Sequence, residues 1–271
     1  MSVPILMYHH VNKNKGDMVT VTPERFELQM RYLSKNGFST ISVDNLIQYI
    51  MGEISLQKRS ILITFDDGYL DNYVYAFPVL KKYGIRATIF LVTSWVEESS
   101  KFKVQSSKFN IKRLPEHREC KRLIKDGRAH EVIINWNMAK EMVESGLVDV
   151  YSHTHTHRRC SLSDSMDEDC LREELVTSKR LIEERLGVSC AYLCWPVGVY
   201  DDSALRAARD AGYNGVFTTA MGVVDRRSAP FAIPRIAIKD KGIWWFGSRI
   251  GIYTNPLLSY AYLKLRGVRA Q

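Results

Sequence analysis

The sequence predicts an α/β barrel, and three observations carry that prediction. Short apolar runs typical of buried strands alternate along the chain with segments of helical periodicity, which is the pattern of a parallel sheet covered by helices. Acidic or histidine residues directly follow two of those runs, at the strand ends where α/β folds place their chemistry. The chain has 271 residues and is 45% hydrophobic, so it can bury one large core without a second domain.

Seven strands and five helices are expected in chain order. Strand candidates lie near 3–8, 60–65, 86–93, 148–152, 190–195, 215–219 and 233–238. The first helix should begin with Thr22 as its cap and Pro23 in its first turn, and it should end at Asn36-Gly37. Further helix signals lie at 70–83, 136–145, 167–186 and 202–211.

An acidic pair follows one strand candidate directly. The apolar run 61–65 leads into Asp66, Asp67 and Gly68, which places both carboxylates at the carboxyl end of a buried strand. Because Asp and Gly are favoured turn residues, an ordinary turn is the alternative for this segment considered alone.

Three of the seven histidines fall within five residues, at positions 153, 155 and 157. His153 follows the strand candidate at 149–152, and His157 lies one helical turn further on, so two imidazoles at this spacing can face one ion. A solvated loop is the alternative for the cluster alone. Together with the acidic pair, however, it supplies the two-histidine, one-carboxylate set that leaves metal positions open for water and substrate.

At these residues the sequence resembles the polysaccharide deacetylases, also called the NodB-homology or carbohydrate esterase 4 family. Thr64-Phe65-Asp66-Asp67-Gly68 reproduces the first motif of that family, and His153-Thr154-x-x-His157 reproduces the second. The resemblance implies a distorted (β/α)7 barrel of the TIM-like type, with Asp66 as the catalytic base. It also implies Asp67, His153 and His157 as ligands of a divalent metal ion, and zinc is the expected ion, with cobalt or nickel as alternatives.

A looser match lies at the start of the chain. Tyr8-His9 resembles the Tyr-His motif of the branch that includes the poly-N-acetylglucosamine deacetylases, where the general acid comes from the amino-terminal end. The resemblance therefore implies His9 as the general acid, with His10 as the fallback. A packed core histidine beside Tyr8 is the alternative. His155, at the variable position between the two metal ligands, is expected outside the ligand set.

Segment 192–198 resembles the third family motif with two departures. Cys194 stands where the family has arginine, and Val197 stands where it has tyrosine. The backbone amide near Val197 is expected to serve the oxyanion, since that role needs no particular side chain. Arg235 matches a late family pattern and is the candidate for the missing charge beside Asp66, with an ordinary surface arginine as the alternative.

The activity that the resemblance implies is hydrolytic removal of N-acetyl groups from an amino-sugar-containing saccharide or glycan intermediate. The expected partner is an N-acetylated saccharide or a lipid-linked sugar. Two alternatives remain: a deformylase of a lipid-linked amino sugar, and a catalytically silent carbohydrate-binding homologue in which Cys194 has disabled the base. A metal amidohydrolase that uses His153 and His155 is disfavoured, because no histidine follows His157.

Two basic segments depart from the barrel pattern. The barrel is expected over 1–240, with an insertion at about 97–131. Residues 101–128 hold ten Lys or Arg and three acidic residues, a net +7 in a chain whose total is +8. This insertion is expected to form a lid over an anionic partner or a solvated face.

Residues 241–271 are expected to form an amphipathic extension, in which 243–269 contact an anionic membrane surface or pack on the barrel or in a dimer.

The composition and the first residues restrict the expected partners and the expected cellular location. The pI is near 9.2, but no nucleic-acid-binding motif accompanies the charge, so nucleic acid is not an expected partner. The start Met1-Ser2-Val3-Pro4 shows no secretory signal, which predicts a cytoplasmic protein or one peripheral at the inner face of the membrane. The five cysteines are predicted to be free thiols. The sequence leaves the oligomeric state open.

Overall fold

The computed structural model describes residues 1–14, 17–102, 114–160 and 167–268, and within these ranges seven parallel strands close into a barrel. Around the barrel the strands run β1 (Ile5–Tyr8), β10 (Ile233–Ala237), β9 (Gly215–Met221), β8 (Tyr192–Cys194), β7 (Val148–Ser152), β6 (Ala87–Leu91) and β5 (Ser60–Phe65). Pairing of β1 with β5 completes the closure. Each strand candidate corresponds to one of these seven strands, so the predicted barrel is confirmed.

Three shorter strands lie outside the barrel proper. β4 (Ser39–Thr40) pairs with the first two residues of β5, and β1 continues along β5 from Leu62. β2 (His10–Val11) and β3 (Thr20–Val21) form a separate parallel pair. β4 therefore extends the wall at the amino end of β5, the end opposite to the acidic pair.

Ten helices lie within the described ranges. They are α1 (Pro23–Lys35), α2 (Val43–Ile50), α3 (Phe77–Tyr83), α4 (Thr93–Ser100), α5 (His117–Lys125), α6 (Trp136–Glu144), α7 (Glu168–Leu186), α8 (Asp202–Asp210), α9 (Ile243–Thr254) and α10 (Pro256–Leu265). A π-helical segment, Asn72–Ala76, precedes α3 where the pattern predicts one continuous helix. The pattern does not predict α2 or α4, because eight residues give only about two turns of periodicity.

The start of α1 differs in one respect from the sequence prediction. Thr22 occupies the N-cap position, but its side chain does not cap the helix. Instead, the hydroxyl and the backbone amide of Thr22 both donate to Asp240 Oδ1, at 2.9 and 3.1 Å. The residue therefore ties α1 to the loop that follows β10.

The packing of β5 fixes the position of the acidic pair along the barrel axis. All six residues of the strand are buried, as expected for a parallel strand with a packed interior on one face and helices on the other. Tyr8 pairs with Phe65 in the β1–β5 register, so His9 and Asp66 leave their strands at the same level. A one-residue slip would turn every side chain of β5 to the opposite face and would move Asp66 out of this position.

Part of the basic insertion packs into the body of the protein. Leu114, Cys120, Leu123 and Ala129 are buried. The described part of the segment is therefore anchored through its own apolar residues. Residues 103–113, which carry four of its ten basic side chains, lie outside the described residues, so the predicted lid remains a prediction.

The carboxyl-terminal extension forms two helices with different surroundings. α9 packs on α1 through buried residues that include Phe246, whose ring meets that of Tyr32 at a centroid distance of 5.9 Å. α10 buries only Ser259. In the described ranges, no helix combines the length and the hydrophobicity that a membrane span requires. All five cysteines are free thiols, as predicted.

Candidate active site

A tight turn at the end of β5 separates the two carboxylates. Asp67 and Gly68 both adopt left-handed backbone conformations, with φ of 73° and 79°. A Cβ at Gly68 would lie 2.5 Å from Leu91 Cδ2, so any other residue would strain the turn and displace the Leu91 side chain. The turn lets the two adjacent aspartates contact different partners: Asp66 meets an arginine, and Asp67 meets two histidines.

Asp66 forms a buried, bidentate ion pair with Arg235. The two guanidinium Nη atoms donate to Oδ1 and Oδ2 at 2.6 and 2.8 Å. Burial raises the pKa of Asp66, but the charge and hydrogen bonds of Arg235 outweigh burial and hold that pKa below its ordinary value. The structure therefore places Arg235 beside the predicted base, in the core and not on the surface, and keeps Asp66 ionised at neutral pH.

Three further contacts fix Arg235 in place. Its Nε donates to the Thr218 carbonyl at 2.9 Å, and one Nη lies 3.2 Å from the Thr64 hydroxyl. The other Nη lies 3.0 Å from Cys194 Sγ. Cys194 thus borders the guanidinium group at the position where the family motif has arginine. The cation missing from β8 is supplied by β10, so the departure at Cys194 gives no reason to regard the base as disabled.

Asp67, His153 and His157 converge at one point. The Nε2 atoms of His153 and His157 lie 3.3 and 3.2 Å from Asp67 Oδ1. That oxygen is buried and otherwise lacks a hydrogen-bond partner in the described part of the chain. The Nδ1–H of His153 donates to the Cys194 carbonyl at 2.8 Å, which directs Nε2 toward Asp67. Two imidazole nitrogens and one orphaned carboxylate oxygen make a donor set that fits a divalent cation such as zinc.

The charged forms of Asp67 and His153 stabilise each other when no cation is present. Burial raises the pKa of Asp67, but the facing His153 and His157 rings lower it well below its ordinary value. Burial lowers the pKa of His153, but Cys194 and Asp67 raise it well above its ordinary value. Because a proton and a metal ion compete for the same ring nitrogen, metal affinity should fall as the pH is lowered.

The histidine loop is held by two neighbouring helices. The amides of Thr93 and Ser94, at the start of α4, donate to the carbonyls of Thr154 and His155 at 3.3 and 2.9 Å. Glu174, buried on α7, accepts from the amides of His155 and Thr156 at 3.0 and 2.8 Å and also from the Thr156 hydroxyl. The ring of His155 turns away to Thr93 Oγ1, at 2.9 Å, so the prediction that it lies outside the ligand set agrees with the geometry.

Glu174→Gln should weaken metal binding about 10–100-fold, the range for groups that orient metal ligands, without unfolding the protein. The amide retains one acceptor oxygen but presents a donor to a site that already contains three donors, so the loop should lose its fixed shape. Zinc affinity measured by competition with a chelating dye is the test. Glu173→Gln, an exposed change on the same helix, is the matched control, and equal affinities in the two variants would remove Glu174 from this role.

His9 and His10 point into different surroundings. His9 Nε2 lies 3.8 Å from Asp66 Oδ2, and its side chain is 21% exposed. It therefore borders the acidic pair and is accessible from the mouth of the barrel, unlike a packed core histidine. His10 is buried, and the Nδ1–H of its ring donates to Asp71 Oδ2 at 2.6 Å. The geometry thus favours His9 over the fallback His10 as the acid.

A second polar cluster, which no sequence pattern predicts, docks α5 onto the barrel. His10 Nε2 lies 3.0 Å from His117 Nδ1, and the His10 ring stacks on Tyr69 at a centroid distance of 3.7 Å. Burial lowers the pKa of His10, but Asp71 raises it above its ordinary value. Burial, aided by the His10 charge, lowers the pKa of His117 to about 4. A proton shared by the two rings therefore lies on His10, which then donates to both Asp71 and His117.

Backbone strain is concentrated at these strand ends. In the described ranges, five non-glycine residues have positive φ: Arg59, Asp67, Thr154, His157 and Val197. All but Arg59 follow β5, β7 or β8 at the carboxyl end of the barrel. Each left-handed non-glycine residue costs about 1–3 kcal/mol and persists only where its surroundings over-determine it. Val197 is 56% exposed in a turn after β8, and its predicted oxyanion role stays a prediction.

Comparisons with known sequences agree on one family. The family model for polysaccharide deacetylase matches residues 53–216. The YxkH protein of Bacillus subtilis (strain 168) is 28% identical over 255 residues, which cover 94% of this chain and 77% of that protein. The poly-beta-1,6-N-acetyl-D-glucosamine N-deacetylase of Staphylococcus aureus (strain MRSA252) is 26% identical over 228 residues, which cover 82% of this chain and 68% of that protein.

Solved structures share the architecture. The Streptococcus pyogenes deacetylase PplD superposes with a TM-score of 0.75 at 21% identity, covering 94% of this chain and 99% of that one. IcaB from Ammonifex degensii superposes with a TM-score of 0.71 at 24% identity, covering 94% of this chain and 97% of that one. At these identities the two structures establish the fold alone.

Proposed function

The chain belongs to the polysaccharide deacetylase family, and on that basis we propose that it removes N-acetyl groups from an amino-sugar-containing glycan in a metal-dependent hydrolysis. One observation carries the proposal. Two imidazole nitrogens and an otherwise unpartnered carboxylate oxygen converge beside a second carboxylate that Arg235 keeps ionised. Enzymatic hydrolysis of an amide uses a Lewis acid that polarises the carbonyl and a base that takes a proton from water. The three convergent groups could hold the Lewis acid, and the second carboxylate is the candidate base.

Asp67, His153 and His157 would hold the metal ion. A divalent cation there would supply Lewis acidity that polarises the acetamide carbonyl and makes water more acidic. Asp66 is the group that would accept the water proton, since its carboxylate is ionised over the neutral range. The backbone amide near Val197 is the proposed donor to the tetrahedral oxyanion that forms on the substrate.

His9 would protonate the departing sugar amine. Burial lowers its pKa below the ordinary value, and Asp66 and Asp67 only partly oppose this, so the ring is neutral at pH 7. It must therefore gain a proton during the reaction. Asp66 Oδ2, 3.8 Å from Nε2, can deliver the proton taken from water after a small movement of either side chain, and catalytic contacts often tighten only with substrate bound.

His9→Ala should give a folded, metal-loaded protein whose rate of acetate release is lower by about 10²–10⁴-fold, the usual contribution of one acid–base group. Its side chain is partly exposed, so truncation should leave the melting temperature nearly unchanged. His130→Ala, a histidine of similar exposure whose ion-pair contact is with Glu131, is the control. A His9 variant as active as this control would exclude His9 as the acid.

The substrate class can be narrowed by the relatives. The Staphylococcus aureus relative carries the name of a poly-beta-1,6-N-acetyl-D-glucosamine N-deacetylase, which supports a β-1,6-linked N-acetylglucosamine polymer as the first substrate to try. Zinc-loaded protein should release acetate from this polymer faster than from β-1,4-linked oligomers of the same sugar. A lipid-linked amino sugar belongs in the same assay, and formate in place of acetate would indicate the alternative deformylase reaction.

A further inference from the structure

α10 presents an apolar face to the exterior. Its one buried residue, Ser259, lies against the barrel, with Oγ 3.3 Å from Ser2 Oγ near the amino end of β1. At 3.6 residues per turn, the opposite side of the helix carries four exposed apolar residues, here called the α10 stripe: Leu257, Leu258, Ala261 and Leu265. The three leucines are 81%, 52% and 86% exposed. This is the reverse of an ordinary surface helix, whose apolar side faces the core.

A basic cavity adjoins the stripe. It has a volume of about 580 Å³. Its lining includes Lys58 and Arg59 and, at the α9–α10 junction, Gly251, Thr254, Asn255 and Pro256. Pro256 immediately precedes Leu257, so the cavity and the stripe are continuous. Arg59 donates to the Asn36 carbonyl at 2.6 Å, an uncharged partner. Within the described ranges, neither Lys58 nor Arg59 has a carboxylate within ion-pair distance.

The charge around the stripe is of one sign. No Asp or Glu occurs from residue 241 to residue 271. Lys264 is exposed beside the stripe and Arg266 is exposed at the carboxyl end of α10, and neither is paired with any carboxylate of the described part of the chain. A second copy docked through this face would bring like charges together. An anionic bilayer would neutralise the cations and cover the leucines at once.

We propose that the α10 stripe and the Lys58–Arg59 cavity form a peripheral binding surface for a bilayer that contains anionic lipid. α10 would lie in the plane of the interface, with its leucines among the acyl chains and the cavity over a headgroup. Exposed Trp244 lies at the far end of α9 from this surface and is not part of it.

The proposed surface lies at the end of the barrel opposite to the acidic pair. Arg59 precedes the first residue of β5, and Asp66 follows its last, so the two are separated by about 23 Å at 3.3 Å per residue. A protein bound through α10 would therefore open its barrel mouth away from the bilayer, toward a glycan in the aqueous phase.

Vesicle co-sedimentation tests this proposal with the full chain. The probes are vesicles of phosphatidylcholine alone and of equal parts phosphatidylcholine and phosphatidylglycerol. The protein should bind the anionic vesicles selectively. Leu257→Ser with Leu265→Ser should reduce that binding about tenfold or more. Lys264→Glu changes the charge from +1 to −1 and should reduce binding to the anionic vesicles about fivefold for each unit of charge changed. Val176→Ser and Arg206→Glu, exposed changes on α7 and α8, are the matched controls and should bind as the unsubstituted protein does.

The outcomes separate the proposal from its rivals. Failure of the unsubstituted protein to sediment with anionic vesicles overturns it, as does equal binding to both kinds of vesicle. It is also overturned if the leucine variant binds as well as Val176→Ser. If ultracentrifugation shows a dimer that the leucine substitutions dissociate, and vesicles are not bound, the stripe is an interface between copies instead. Acetate release from a soluble substrate reports separately on the active site and should be equal in all variants.

Discussion

Asp66→Asn should lower the rate of acetate release about 10²–10⁴-fold while metal remains bound. Asparagine is nearly the same shape, but its amide cannot accept the proton of water at neutral pH, so base catalysis is lost. Asp66 lies outside the group formed by Asp67, His153 and His157, which the change leaves unaltered. The comparison requires rate and zinc content for the same preparations.

The variant also needs a stability control. Asparagine accepts only one of the two Arg235 hydrogen bonds, and an incompletely paired buried charge can cost about 3–5 kcal/mol in the free energy of unfolding. Rates should therefore be compared well below the melting temperature of the variant. A folded, zinc-loaded Asp66→Asn protein that retains near-normal turnover would show that another group is the base.

Replacement of either proposed histidine ligand should lower the zinc content of the protein, unlike Asp66→Asn. His157→Ala and His153→Ala should both lose stoichiometric zinc as well as activity, because each leaves only two protein ligands at the site. The loss in affinity should exceed the about 10–100-fold typical of residues that only orient ligands. Zinc content after dialysis against a weak chelator is the measurement.

His155→Ala is the matched control within the same loop. Its ring contacts the Thr93 hydroxyl and does not face Asp67, so zinc should be retained. His157→Ala is the cleaner ligand variant, because His157 is 20% exposed whereas His153 is fully packed and donates to the Cys194 carbonyl. Unchanged zinc content in His157→Ala, with loss in His155→Ala, would reverse the assignment of these two residues.

The sequence is most informative where a local pattern determines the structure. β5 is a continuous apolar run bounded by turn residues, and its predicted bounds match the strand. The acidic pair and the histidines follow their strands directly, so strand prediction alone brings them to one end of the barrel. The predicted residues Asp66, Asp67, His153 and His157 do lie together, and His9 borders them.

Contacts between distant segments are not contained in any local pattern. Arg235 lies 169 residues from Asp66, and only barrel closure between β10, β1 and β5 brings them into a bidentate pair. Glu174 looks like any acidic residue on the surface of α7, yet it is buried beneath the histidine loop. His117 lies in the basic insertion, and its contact with His10 depends on how α5 docks.

Acetate release before and after metal removal tests the central claim most directly. The protein should be stripped with a strong chelator, assayed on the N-acetylated polymer, and assayed again after addition of one equivalent of zinc. The stripped protein should be folded and inactive, and one equivalent should restore activity, with Asp67→Asn unable to recover. Full acetate release from protein shown to contain no metal would contradict the account.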